Sequence, residues 1–396
     1  MASPILHLQK SYPWTRAPLI ANAPMAGSAG PRLAAAVTNA GGLGFIGGGV
    51  DMAQLAADLD ACRNLVDIDV DRLLATTETT DQTTTSTLLP LLPIGIGILC
   101  FNNNNNNANN ATAGEPLVPP AALADVVRAH RPAAVWLFAA ASAAAAGAAV
   151  DASSASPVAD YTPWARAVRA ACPQTAVWVQ VGSVAAAVAA AGAGAADVLV
   201  LQGADAGGHG FERGAGWGAL VPEVVDALGE LPGVGIVAAG GIVEARGAAG
   251  ALAVGAGGVV MGTRFLACEE VACPAFWTER VLRASDGGVA TARSKAFDEA
   301  RAGGNVWPGG YDGRALVNRT YRDFVAGEVP VEEIRRLHGE EQKRGDAGCG
   351  GTEDMRVTVW AGTGVGLVRE VLPAGKIVED VREGARRVLK NLGAQL

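Results

Sequence analysis

The chain of 396 residues contains only four histidines, so each can be weighed separately. His209 closes the run Gln202-Gly-Ala-Asp-Ala-Gly-Gly-His209-Gly, which leaves the end of an apolar Val/Leu segment. Glycine-rich backbone there can set an imidazole over a strand end, and an imidazole with a pKa of about 6.5 suits proton removal or exchange at neutral pH. His7 near the N-terminus, His130 before Arg131-Pro132 and His338 in a charged helical run read as surface or capping residues. No second His or Cys falls at ligand spacing from His209, so no metal is expected. Cys268-Glu-Glu-Val-Ala-Cys273 lacks the second pair that a zinc site needs.

A second pattern is made of glycines. Gly240-Gly241 and Gly262-Thr263 follow two successive apolar runs. Bare N–H groups at a turn that opens a helix can approach an anion, and two such turns after the last strands form the recurrent phosphate site of (β/α)8 barrels. Gly42-Leu-Gly-Phe-Ile-Gly47 matches GxGxxG, but its middle reads as a strand rather than a turn opening a helix, so it is set aside as a dinucleotide site.

The elements that must position these groups follow from periodicity. Eight short runs at 19–23, 42–46, 94–99, 134–138, 176–181, 197–201, 235–239 and 258–261 alternate with Ala-rich helical stretches starting near Pro31, Asp51, Ala121, Tyr161, Val184, Pro222 and Val243, the last helix coming after an excursion past Ala267. Such alternation implies parallel pairing through right-handed crossovers, and eight units imply an α/β chain folded as a closed (β/α)8 TIM-type barrel. Chemistry then belongs at the C-terminal strand ends, which gathers Ala23-Pro24-Met25-Ala26-Gly27, Gln180, Gly182, the His209 run, Gly240-Gly241 and Gly262-Thr263-Arg264 at one mouth. Residues 1–268 are expected to form this barrel, with low-complexity insertions near 76–88, 102–113 and 139–157. Residues 269–351 carry more charge and Trp277, Phe297, Trp307, Tyr311, Tyr321 and Phe324. They read as a smaller, mainly helical substrate-side domain inserted after strand eight, in which Trp307, Tyr311 and Arg314 serve packing. Residues 352–396 return to the barrel shell.

Composition narrows the class. Hydrophobic residues make up 50% and charged ones 18%, which excludes wholesale disorder. Aromatics are 5%, which predicts a core built mainly of Val, Leu, Ile and Ala. The net charge of −8, with no basic block, excludes nucleic acid as a partner. Six scattered cysteines without a CxxC pair, no secretory or transit pattern at the start and no apolar stretch of about 20 residues point to a reduced cytoplasmic protein without a membrane span.

Ala23-Pro24-Met25-Ala26-Gly27, Thr38-Asn39-Ala40-Gly41-Gly42-Leu43-Gly44, the His209 run, Ala238-Ala-Gly-Gly-Ile242 and Met261-Gly-Thr-Arg-Phe265 together resemble the nitronate monooxygenase family, formerly 2-nitropropane dioxygenases. The resemblance implies non-covalent FMN, with its phosphate held around Gly240, Gly241 and Val260-Met261-Gly262-Thr263. It implies flavin contacts from Gln202 and Gly207, and Met25 under the isoalloxazine ring. It makes His209 the base that takes a proton from a neutral nitroalkane or steadies the nitronate. The implied reaction is oxidation of alkyl nitronates, and of nitroalkanes, by O2 to a carbonyl compound and nitrite. Gly97 stands where bacterial members often place an Asn against the flavin, and Asp205 stands at the usual acidic position before Ala-Gly-Gly-His. A homodimer is left open. The alternative is an FMN-dependent NAD(P)H reductase of enoyl-thioester or quinone type; a flavin-free barrel lyase or isomerase on a phosphorylated sugar and a non-catalytic binding module rank behind it.

Overall fold

The computed structural model describes residues 4–68, 90–102, 116–140, 158–229, 233–345 and 354–395. The Thr-rich insertion lies outside the described residues, as do nearly all of the Asn-rich and Ala-rich ones. The strands β1 (Leu19–Asn22), β2 (Gly44–Gly47), β3 (Leu92–Leu99), β4 (Pro132–Phe138), β5 (Ala176–Val181) and β6 (Val198–Gln202) appear as expected, with some ends shifted. A short β7 (Gly208–Phe211) follows, and β8 (Gly235–Ala239) and β9 (Gly258–Met261) are the seventh and eighth strands of the sequence reading. All but β7 form one parallel sheet in the order β1-β9-β8-β6-β5-β4-β3-β2.

This sheet is a nearly closed barrel. Its edge strands meet through one parallel bridge, Ala21↔Leu43. Beyond the bridge the Asn22 side chain takes the place of a ladder: Nδ2 donates to the Phe45 carbonyl at 2.8 Å and Oδ1 accepts from the Phe45 N–H at 2.9 Å. The glycines of the apparent GxGxxG motif belong to this seam. A Cβ at Gly44 would lie 1.8 Å from the Ala34 carbonyl oxygen, and one at Gly47 would lie 2.4 Å from the Met25 carbonyl. They are there for close packing of backbone, as the strand reading implied.

The low aromatic content conceals an uneven distribution. Between sheet and helices the core is mainly Val, Leu, Ile and Ala, as expected, with Tyr161, Trp164 and Phe265 as its aromatic members. Inside the barrel it is not: Phe45, Trp136 and Trp178 pack against one another with ring centroids 5.0–5.9 Å apart, and Trp178 Nε1 donates to the Tyr12 hydroxyl at 2.6 Å. The Ile-Gly-Ile-Gly-Ile alternation of β3 makes room for them. Ile94, Ile96 and Ile98 join the helix-side core, while a Cβ at Gly95 would fall 2.3 Å from the Phe45 ring.

Two expectations about the elements are corrected by the packing. The helix expected to start at Pro222 runs over Trp217–Leu228 with Pro222 inside it. A proline there removes one internal hydrogen bond, but Leu220, Val221, Val224 and Leu228 bury one apolar stripe and hold the helix together. The 269–351 segment is not simply helical: besides helices such as Ala275–Arg283 and Val331–Arg344 it contributes β10 (Thr291–Ser294) and β11 (Tyr311–Leu316). These pair antiparallel with β7 in the order β10-β11-β7, so the segment shares a sheet with the loop that leaves β6. The helix Ala374–Gly393 then packs against the helices Ala245–Ala253 and Pro31–Asn39 and fills the last place in the shell. Its buried Arg382 donates to the carbonyls of Ala40 (3.0 Å) and Gly41 (2.7 Å).

His338 is 3% exposed, not a surface residue, and among the described residues neither ring nitrogen has a hydrogen-bond partner. Burial, reinforced by Arg301 and Arg356 and opposed by Glu341, holds its imidazole below the ordinary range. As pH falls, the unfolded chain therefore takes up this proton first. The stabilisation is complete above pH ~6.5 and is lost as pH drops through the folded-state value. Urea midpoints at pH 7.5 and 5.5 are expected to fall for the wild type and to fall less for His338→Gln.

Candidate active site

The His209 run does not form a free loop. Gly208, at φ 73°, turns the chain into β7, where His209 lies opposite Gly313 and Phe211 opposite Tyr311 of β11. Gln202, at the end of β6, reaches up to this strand and donates from Nε2 to the His209 carbonyl at 3.1 Å. A Cβ at Gly210 would lie 2.4 Å from Gln202 Oε1, so a side chain there would push the Gln202 amide aside. From the far side Arg293 donates to the Phe211 and Ala206 carbonyls and to Asp312 Oδ1. Burial pushes the Asp312 carboxyl up and Arg293 pulls the other way. Arg314, expected to pack, donates to the Ala204 carbonyl at 3.2 Å.

The imidazole is fixed on three sides. The Trp307 ring stacks on it with centroids 3.9 Å apart and planes at 12°, and Trp360 lies at 4.6 Å and 53°. Trp360 can come this close because Gly313 has no side chain; a Cβ there would be 2.3 Å from the indole. His209 Nε2 lies 2.8 Å from Asp298 Oδ1, and the Asp298 side chain is 2% exposed. Trp307 also meets Phe101, Phe138 and Tyr311, which lines one side of His209 with aromatic rings. Burial pushes the Tyr311 hydroxyl well above its ordinary range, so it does not compete as a base.

Asp205, from the acidic position before the His209 run, does not touch the imidazole. Its Oδ1 accepts from the Thr363 hydroxyl at 2.9 Å and its carbonyl from the Thr363 N–H at 3.0 Å. The Gly362 N–H in turn donates to Thr263 Oγ1 at 3.0 Å. The C-terminal segment thus clasps the loop after β6 to the turn after β9. This clasp explains several glycines without a ligand: a Cβ at Gly207 would lie 2.4 Å from Ala361–Gly362 backbone, and one at Gly241 would lie 2.9 Å from Asp205 Cβ.

The remaining expected cofactor residues surround the same mouth. Gly240 and Gly241 turn with φ of 103° and 70°, a conformation that L side chains resist. Met25 and Gly262 are half-buried, and a Cβ on Gly262 would meet only Ala23 Cβ at 3.6 Å and Met25 Sδ at 3.8 Å. The side chains of Val260 and Met261 are buried in the core, which leaves only their backbone for a ligand. Gly97 cannot stand in for an Asn, because a Cβ there would fall 2.2 Å from the Pro24 ring. Among the described residues no group of three or more His, Cys, Asp or Glu could hold a metal ion, and no helix is long and apolar enough to cross a membrane.

A nearly closed parallel barrel with glycine turns and a braced imidazole at one mouth is an enzyme scaffold of the TIM-barrel class. The family model for nitronate monooxygenase matches residues 11–88 and 152–384, and the chain belongs to that family. It is 43% identical over 391 residues to nitronate monooxygenase npaC of Metarhizium robertsii, covering 98% of this chain and 97% of that protein. It is 37% identical over 392 residues to a nitronate monooxygenase of Neurospora crassa, covering 98% and 94%. Nitronate monooxygenase activity, an oxidoreductase reaction, follows from relatives this close over nearly the whole length. Among solved structures, FabK from Thermotoga maritima superposes with a TM-score of 0.68 and the nitroalkane oxidase of Streptomyces ansochromogenes with 0.67, each at 22% identity over 98% of this chain and 98–99% of theirs. These two share the fold.

Sequence reasoning singled out His209 as a candidate and gave no sign of the groups that brace it. Asp298 lies in Ala-Phe-Asp-Glu within a charged stretch, where nothing in the sequence marks it for burial. Trp307 and Trp360 were separable from ordinary packing residues only by their distance from His209.

Proposed function

We propose that the mouth binds FMN and that alkyl nitronates are oxidised there by O2 to a carbonyl compound and nitrite, with His209 as the base when the substrate is a neutral nitroalkane. The observation that carries this reading is His209 held between Trp307 and Trp360 on β7, tied to β6 through Gln202 and hydrogen-bonded to a buried carboxylate. A group so constrained is ready for proton transfer at a defined atom.

The fit to FMN rests on the rim of the mouth. The Gly240-Gly241 turn, Gly262 and Thr263 at the start of the turn Thr263–Ala267 would hold the phosphate through backbone N–H groups, which a helical turn leaves unpaired at its beginning. Val260 and Met261 would contribute backbone alone. Met25, whose Sδ lies beside Gly262, together with Gln202 and Gly207 would border the isoalloxazine. FMN would supply the electron acceptor and the reaction with O2. The chain supplies orientation and the proton acceptor; a nitronate is already a stabilised carbanion and asks for little more. Residues 269–351 form the substrate side in this reading and 352–396 the return to the shell. The described cysteines form no disulfide, which suits the cytoplasm.

The alternative raised from the sequence, an FMN-dependent NAD(P)H reductase of enoyl-thioester or quinone type, makes a different demand on the flavin. Anaerobic mixing separates the two. The purified protein is expected to be yellow and to lose its visible flavin band on addition of propionate 3-nitronate but not of NADPH. Rapid bleaching by NADPH would sink the monooxygenase reading, and a colourless protein that takes up no FMN would sink both.

A further inference from the structure

We propose that Asp298 is the positioning residue for His209, fixing the imidazole tautomer so that Nδ1 is the proton-accepting atom; this rests on the reading of His209 as base. Asp298 Oδ1 lies 2.8 Å from His209 Nε2, and its other oxygen has no hydrogen-bond partner among the described residues although it is buried. Arg301 Nη1, on a half-exposed side chain, lies 3.9 Å from the same Oδ1. A buried carboxylate with so little other compensation is costly for the fold and is poorly explained as a stabilising ion pair. Its placement is explained if it serves the imidazole.

The chemistry follows from donor counting. An ionised carboxylate can only accept, so Nε2 must carry the ring proton and Nδ1 must present its lone pair. When a neutral nitroalkane gives up its Cα proton to Nδ1, the C–H electron pair stays on the substrate as the nitronate and the ring becomes an imidazolium. The Asp298 charge at Nε2 balances that cation. Trp307, stacked on the ring, opposes the ring flip that would swing Nε2 away from Asp298 and put Cε1 in its place. A preformed nitronate has no proton to give, so Asp298 should hardly affect its turnover.

The test has a spectroscopic and a kinetic arm. With only four histidines, 15N-labelled imidazoles can be resolved by NMR and the His209 signal assigned by its loss in His209→Asn. The wild type is expected to show His209 as the Nε2–H tautomer, and Asp298→Leu a mixture of tautomers. Asp298→Asn is expected to lower kcat/KM for neutral nitroethane by about 100-fold or more, within the range of general acid–base effects, with ethylnitronate turnover changed by less than about threefold. A wild-type proton on Nδ1 would overturn the proposal whether or not the variants fold. An equal loss with both substrates, or no loss with nitroethane, would do the same. If His209→Asn itself leaves nitroethane turnover intact, the base reading has failed; if it disables that turnover while Asp298→Asn does not, only the role of Asp298 has failed.

Discussion

His209→Asn is expected to cut kcat/KM for a neutral nitroalkane by about 10²–10⁴-fold, the usual worth of a positioned general base, and to leave oxidation of the preformed nitronate within about tenfold of wild type. The asymmetry is the content of the prediction. Asparagine is close to imidazole in size and can still bond to Asp298, so the Trp307–Trp360 slot should keep its shape. It cannot take a proton. With the nitronate the lost function is not needed, and any residual loss measures how far the imidazole also steadies the anion. Steady-state rates with nitroethane and ethylnitronate, at one oxygen concentration, provide the comparison. If both substrates lost ground equally, His209 would be acting on cofactor binding or local structure, and the base would have to be sought elsewhere at the mouth.

That His209 could be singled out from sequence at all depended on composition and order. Four histidines, one of them at a strand end in an eightfold strand–helix rhythm, left little choice, and periodicity placed all eight barrel strands. What stayed hidden has a common physical cause. Gly-His-Gly-Phe has no β-propensity pattern of its own, and β7 is a strand only because β11, about a hundred residues later, supplies its ladder. Asp298 is buried by tertiary contacts that its charged neighbours do not announce. Composition does not say what each glycine is for. Gly207 and Gly241 lie at the mouth, yet their missing side chains make room for Ala361–Gly362 and Asp205. Gly208 is required by its φ of 73°, whereas Gly262, where an added Cβ would meet only ordinary contacts, is the position that packing and backbone conformation leave unexplained. Spacing alone cannot separate these uses of glycine, because it shows neither the approaching atoms nor the backbone angles.

Trp178→Ala is expected to be the most destabilising single truncation in the barrel, at about 3–5 kcal/mol, the range for deleting a large buried aromatic. Trp178 is completely buried inside the sheet. It stacks on Trp136 at 5.9 Å, meets Phe45 at 5.0 Å and donates to the Tyr12 hydroxyl at 2.6 Å, which ties the N-terminal segment across the barrel floor. The neighbours cannot collapse into the space, because they sit on parallel strands locked by their ladders and the β3 glycines already bring the walls as close as Phe45 allows. Truncation also leaves the buried Tyr12 hydroxyl, held far above its ordinary pKa by burial, without its indole donor. Urea unfolding should show the midpoint falling with an unchanged slope, since the same surface is exposed on unfolding. Nitronate turnover per folded molecule should be nearly unaffected, because the ring lies beneath the mouth. A loss of turnover larger than the loss of folded protein would mean that the interior aromatics set the geometry of the strand ends as well as the stability of the barrel. A destabilisation below about 1 kcal/mol would mean that the barrel interior relaxes around the cavity, against the rigidity argued from its ladders.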